Sequence, residues 1–232
     1  MPASDDLTAT FRAAAGERAA TSFARLVSVM ARLRAPGGCP WDAKQTHDSL
    51  SIHMLEEAHE AVDAIDQGNM HALEEELGDV LLQVVFHSEI AAEAGHFEVA
   101  DVVEELIAKL VQRHPHVFSD VVVSGPDEVV ANWESIKGEA RSRTEILDDV
   151  PKGLPALLLA HKVQRRLAGV GRDHPGTLSR LSELVGRLAK DQSDRAFGEV
   201  LFEVAALAGS IGIDPEGALR RAATGLGATT AG

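Results

Sequence analysis

The apolar residues of this chain recur at three- and four-residue intervals rather than at every second position. Side chains at that spacing share one face of a helix, whereas a half-buried strand requires alternation. Ala, Leu, Glu and Arg dominate the periodic stretches, and all four favour helix. The pattern predicts an all-α fold. A first helix is expected over 22–33, where Phe23, Leu26, Val27, Met30 and Leu33 form one stripe and Pro36-Gly37-Gly38 ends it. A second is expected over 48–66, closed by Gln67-Gly68-Asn69. The third, over 71–94, turns Leu73, Leu77, Val80, Leu81, Val84 and Val85 inward and stops at Gly95. The fourth, over 99–113, ends ahead of Pro115, which disfavours helical geometry in the residue before it. Residues 117–124 read as a short extended segment and 126–143 as another helix.

Pro151, Gly153 and Pro155 cluster between two periodic stretches and mark a boundary. Three parts follow: an N-terminal extension over 1–21, expected to be flexible, a domain over 22–150, and a second part over 151–232 with a frayed glycine-rich tail from 225. The two larger parts are related. At an offset of 120, Gly78, Val80, Leu81 and Val84 fall on the identical Gly198, Val200, Leu201 and Val204. The preceding helix matches best at an offset of 127, which places Glu56 on Glu183.

Charge restricts the partners. With 36 Asp and Glu against 22 Lys and Arg, the formal charge is −14, opposite to the basic face of a nucleic-acid binder or of a protein that docks on anionic membrane. Aromatics are 4% and Tyr is absent, which removes stacking platforms for single strands. Cys39 is the sole cysteine, so no intramolecular disulfide forms. No signal peptide and no apolar run of about 20 residues is evident, and a cytoplasmic protein is expected.

The acidic residues are not evenly spread. Glu56-Glu57-Ala58-His59-Glu60 lies on the second expected helix and Glu74-Glu75-Glu76-Leu77-Gly78-Asp79 on the third. Glu57 with Glu60, and Glu76 with Asp79, are pairs three apart on one helical face, where like charges repel. The short turn at Gly68 makes the two helices antiparallel neighbours, so the pairs can face each other. Four hard oxygen ligands suit Mg²⁺ or Mn²⁺, and Mg²⁺ commonly joins carboxylates to substrate phosphates. Two other metal readings are weaker. None of the ten histidines forms the H-E-x-x-H pattern of zinc sites. A di-iron bundle wants Glu-x-x-His on two helices, and of Glu56-x-x-His59 and Glu93-x-x-His96 the second is broken by Gly95. Cys39 has no base placed beside it, and Ala35-Pro36-Gly37-Gly38 lacks the Gly-Lys-Ser/Thr ending of a P-loop.

Glu56-Glu57-x-x-Glu60, followed after fifteen residues by Glu76-x-x-Asp79, resembles the signature of the all-α nucleoside triphosphate pyrophosphohydrolases. Gly38-Cys39-Pro40-Trp41-Asp42, Gln45-Thr46, the run Arg113-His114-Pro115-His116-Val117-Phe118 and Trp133-Glu134-x-x-Lys137 narrow the resemblance to the MazG family. The resemblance implies an antiparallel four-helix-type bundle that works as a homodimer. It implies Mg²⁺-dependent hydrolysis of nucleoside triphosphates to monophosphate and pyrophosphate, with removal of aberrant nucleotides as one use. Carried over, Glu57, Glu60, Glu76 and Asp79 match the metal ligands, and Glu56 matches a residue that orients or deprotonates the attacking water. Lys109 and Arg113 match phosphate contacts, and Trp133 and Lys137 a nucleotide-contacting block.

Within the same class stands a narrower dUTP or dCTP pyrophosphatase; outside it stands a non-catalytic nucleotide-sensing bundle. The second repeat keeps the latter open, because Glu57, Glu60 and Glu76 correspond there to Leu184, Arg187 and Ala196, and only Asp79 retains a carboxylate, in Glu199. A divalent ion is not held by one carboxylate beside an arginine, so a packing role is expected for the second part.

Overall fold

The computed structural model describes residues 14–125, 128–129, 150–151, 153–169 and 171–229. Every regular element among them is helical. They divide into two compact units, one ending at Val122 and the other beginning at Val123. That division falls earlier than the turn cluster at 151–155 suggests, because turn residues report a break in the helix whereas a unit is defined by what packs together.

In the first unit, α1 (Ala14–Arg34) begins inside the stretch expected to be loose, so residues 14–21 are helical. Its stripe of Phe23, Leu26, Val27 and Met30 meets the core formed by Met30, Leu50, Val85 and Phe86. The chain leaves α1 through Gly37 at φ +76°. At Gly38 any side chain would collide with the Leu33 carbonyl, so glycine is required there. Arg34 then fixes the loop that follows. Its buried guanidinium pairs with Glu93 at 2.7 Å, donates to the Asp42 carbonyl at 2.6 Å and lies over the Phe86 ring at 5.4 Å.

Helix α2 (His47–Asp66) starts with a reciprocal cap, in which Thr46 Oγ1 accepts from the Ser49 N–H and Ser49 Oγ accepts from the Thr46 N–H. Gly68, at φ +65°, turns the chain, and Asn69 caps α3 (Met70–Glu93) by accepting from the Ala72 N–H. The closest helix pairing of the unit is α2 on α3. Helix α4 (Val99–Arg113) runs between the limits expected for it, with Glu98 and Asp101 as its capping box. Pro115 opens a one-turn helix, α5 (Pro115–Phe118), which takes the first two residues of the segment expected to be extended over 117–124; a proline at the first helical position is already set for helix.

The inward stripe expected on α3 is only half realised. Val85, Phe86 and Ala91 are buried, but Leu77 and Leu81 are 53% and 39% exposed. The reason is positional: the core gathers around Val85 and Phe86 in the C-terminal half of α3, where Met30 of α1 meets them.

The second unit has α6 (Ala156–Ala168), α7 (Leu178–Leu188), α8 (Asp194–Ser210) and α9 (Pro215–Thr229), with α8 in contact with the other three. Its buried residues include Leu184, Ala205 and Ala206 together with Glu203, whose carboxylate accepts from His174 Nε2 at 2.7 Å and from the Thr177 N–H at 3.0 Å. The last helix continues through Gly225 to Thr229 instead of fraying at 225. The expected helix over 126–143 lies outside the described residues apart from 128–129, which are helical. No single helix among the described residues is long and apolar enough to cross a membrane.

Because Phe86 is at the centre of the first unit's core, Phe86→Ala is expected to destabilise the protein by about 3–5 kcal/mol in urea titrations followed by circular dichroism.

Candidate active site

The carboxylates singled out in the sequence converge on the α2–α3 hairpin. One oxygen from each of Glu57, Glu76 and Asp79 lies within 4.8 Å of the others. Glu60, one turn from Glu57, adds its charge to both Glu57 and Glu76. Desolvation, followed by the charges of Asp79, Glu60 and Glu56, raises the Glu57 carboxyl above its ordinary value, and His53 pulls it partly back. Glu76 is raised in the same sense by desolvation, then by Glu60, Asp79 and Glu57.

These oxygens are separated as a shared cation requires. Oxygen ligands sit roughly 2.0–2.6 Å from Mg²⁺ or Ca²⁺, so a single ion can touch carboxylates whose oxygens are within 4.8 Å of each other. The donor set consists entirely of hard oxygens, which favours Mg²⁺ or Mn²⁺ over softer ions. The residues present therefore fit the group that the resemblance implies.

Glu56 stands outside this trio. Its Oε2 is 3.0 Å from His53 Nδ1, on the same helix face one turn earlier. His53 was not among the residues singled out for the site, although His53-x-x-Glu56 is an i,i+3 pair visible in the sequence. The di-iron spacing gains no support, since His59 Nδ1 donates to the Leu55 carbonyl at 2.6 Å and Glu56 is engaged by His53. Lys109 and Arg113 lie one turn apart on α4, and Lys109 Nζ is 2.6 Å from Glu105, whose carboxyl it holds below the ordinary range. Trp133 and Lys137 lie outside the described residues.

In the second unit the same helix pair carries a different arrangement. Leu184, at the Glu57 position, is buried, and Arg187, at the Glu60 position, faces Glu199 at 3.6 Å.

A helical hairpin that gathers carboxylates at hard-cation spacing narrows the chain to all-helical proteins with a candidate metal site. The MazG nucleotide pyrophosphohydrolase domain matches residues 45–118, which contain all five acidic positions together with Lys109 and Arg113. The nucleoside triphosphate pyrophosphohydrolase/pyrophosphatase MazG of Thermotoga maritima is 41% identical over 209 residues, covering 86% of this chain and 80% of that protein. The nucleoside triphosphate pyrophosphohydrolase of Escherichia coli K12 is 39% identical over 214 residues, covering 85% and 81%. The uncharacterized protein YabN of Bacillus subtilis is 48% identical over 145 residues, or 62% of this chain and 30% of that one. This chain belongs to the MazG family.

The raised carboxyls have a defined consequence for stability. A carboxyl whose folded pKa lies above its unfolded value stabilises the fold below about pH 4.5, and that contribution is lost as pH climbs through the folded value. In EDTA at pH 7.5, Glu76→Gln is expected to melt about 1–2 °C above the wild type, a gap that closes at pH 4 and closes again on addition of Mg²⁺. Differential scanning fluorimetry in the three conditions checks it.

Proposed function

We propose that this chain hydrolyses nucleoside triphosphates to nucleoside monophosphate and pyrophosphate in an Mg²⁺-dependent reaction. The observation that carries the reading is the convergence of Glu57, Glu76 and Asp79 in a chain of this family. The names of the Thermotoga maritima and Escherichia coli relatives describe the same activity, and each is matched over about four-fifths of its length.

Glu57, Glu60, Glu76 and Asp79 would hold the ion. Bound there, Mg²⁺, or Mn²⁺ in its place, supplies positive charge for the phosphate oxygens and makes water more acidic. Glu56 has the role of orienting the attacking water and accepting its proton. Its place beside His53 and outside the trio supports this, since a carboxylate engaged as a ligand is a poor base. Lys109 and Arg113 neutralise the charge that grows on the departing pyrophosphate, Arg113 through its planar fork and Lys109 as a point charge that exchanges Glu105 for phosphate. Trp133 and Lys137 complete the nucleotide site in this reading.

The working form is a homodimer of four-helix-type bundles. Support comes from the exposed apolar side chains of the first unit: on α4, Leu106, Ile107 and Leu110 are each more than 40% exposed, and Leu55 and Leu77 beside the carboxylates are more than half exposed. Such surface is better covered than wetted. A single cysteine and the acidic composition fit a cytoplasmic enzyme that clears aberrant nucleotides, with no nucleic-acid or membrane partner.

Purified protein with Mg²⁺ and a panel of canonical, deoxy and modified triphosphates is expected to release pyrophosphate, and EDTA to abolish the release. Glu60→Ala and Asp79→Ala should each lower kcat/KM at least about 100-fold, and Arg113→Ala roughly 10–100-fold. Absence of pyrophosphate from every triphosphate, or release of orthophosphate instead, contradicts the reading.

A further inference from the structure

In the second unit, α7 and α8 border a cavity of about 520 Å³, a size typical of small-ligand sites. It occupies the position that the carboxylate cluster holds in the first unit, because Leu184, Arg187 and Glu199 are the repeat counterparts of Glu57, Glu60 and Asp79. Its charges are inverted. Arg180, Arg187 and Arg195 line it together with His174, against Glu199 and Glu203.

Glu199 and Glu203 offset part of this charge, and Glu183 pairs with Arg180 outside the cavity lining, so what the arginines keep for a ligand is N–H donors. Glu203 is 2% exposed, and its oxygens are already taken by His174 Nε2 and the Thr177 N–H. Glu199 stands between two of the arginines, accepting from Arg195 Nε at 3.2 Å and facing Arg187 Nη1 at 3.6 Å. A guanidinium has five N–H donors. Arg195 spends its Nε on Glu199, and among the described residues both of its terminal amino groups remain without a protein acceptor. Among the described residues, the Arg180 guanidinium is tethered through Nη1 alone, to Glu183 at 3.1 Å. Glu199 therefore acts as a bracket that holds two forks beside one cavity, in a protein whose overall charge is −14.

We propose that this cavity binds phosphate-anhydride chains, as inorganic pyrophosphate or as the polyphosphate of a nucleotide, without a metal ion. In the first unit, carboxylates require a cation before they can face a polyanion. In the second, arginines are that cation. Planar guanidinium forks grip phosphate oxygens in pairs, and several of them at one cavity suit a chain of linked phosphates better than a single monovalent anion.

Isothermal titration of the full chain with inorganic pyrophosphate and tripolyphosphate in EDTA tests this apart from the catalytic reading, since EDTA removes the ion that the carboxylates need. Saturable binding is expected, weakened about tenfold or more by Arg187→Ala with Arg195→Ala. The same binding should be unchanged by Glu60→Gln, which touches only the first site. Arg195→Gln alone alters a side chain that is 89% exposed, leaves folding unperturbed by circular dichroism, and is expected to weaken binding several-fold. A nucleoside triphosphate in EDTA distinguishes a nucleotide from a bare phosphate chain by its tighter or equal affinity. No saturable heat in EDTA, equal affinity in the arginine variants, or equal binding of sulfate at matched ionic strength would overturn the proposal, whatever the first unit does with triphosphates.

Discussion

The repulsion among carboxylates on the α2–α3 hairpin is the constraint around which the first unit is arranged. A turn of three residues, with Gly68 in the left-handed region, holds the helices side by side and leaves the acidic faces no room to separate. The two helices are anchored at the other end of the hairpin, where Leu50, Val85 and Phe86 meet Met30 of α1. Apolar burial there offsets an electrostatic cost here, and the cost is visible in the raised carboxyls of Glu57 and Glu76. A site built this way is poised for a cation because the protein alone does not neutralise it.

The second unit shows the alternative solution to the same geometric problem. Its α7–α8 pair keeps the helix neighbours and exchanges the charges, with Leu184 buried and Arg187 set against Glu199. A buried leucine contributes to packing where a glutamate demanded a partner, so this pair closes without an external ion. One helix pairing thus exists twice in one chain, once with carboxylates crowded together and once with an arginine set against a carboxylate.

Much of the carboxylate group was legible in the sequence, since Glu57, Glu76 and Asp79 do come together. Helical period placed Glu57, Glu60, Glu76 and Asp79 on facing surfaces, and the short Gln67-Gly68-Asn69 link brought those surfaces together, because intrahelical spacing and turn length are local properties. The limits of α4 and the stop at Gly95 were legible for the same reason. The exposure of Leu77 and Leu81 was not, since a hydrophobic stripe shows which face is apolar and not whether a neighbour covers it. Nor was the part of His53, whose bond to Glu56 depends on side-chain rotamers, or the clamp that Arg34 makes between Glu93 and the loop at Asp42, which joins residues 59 apart.

By itself, then, the sequence determined the helical class, the pairing of α2 with α3 and the identity of the acidic group, all consequences of periodicity and short-range turn chemistry. Only the tertiary structure decided which of those acids share space within 4.8 Å, which stripe remains uncovered, and that the second repeat turns arginines toward the cavity its relative fills with carboxylates. The reason is that distance between elements, unlike spacing within one, is fixed by packing among side chains far apart in the chain.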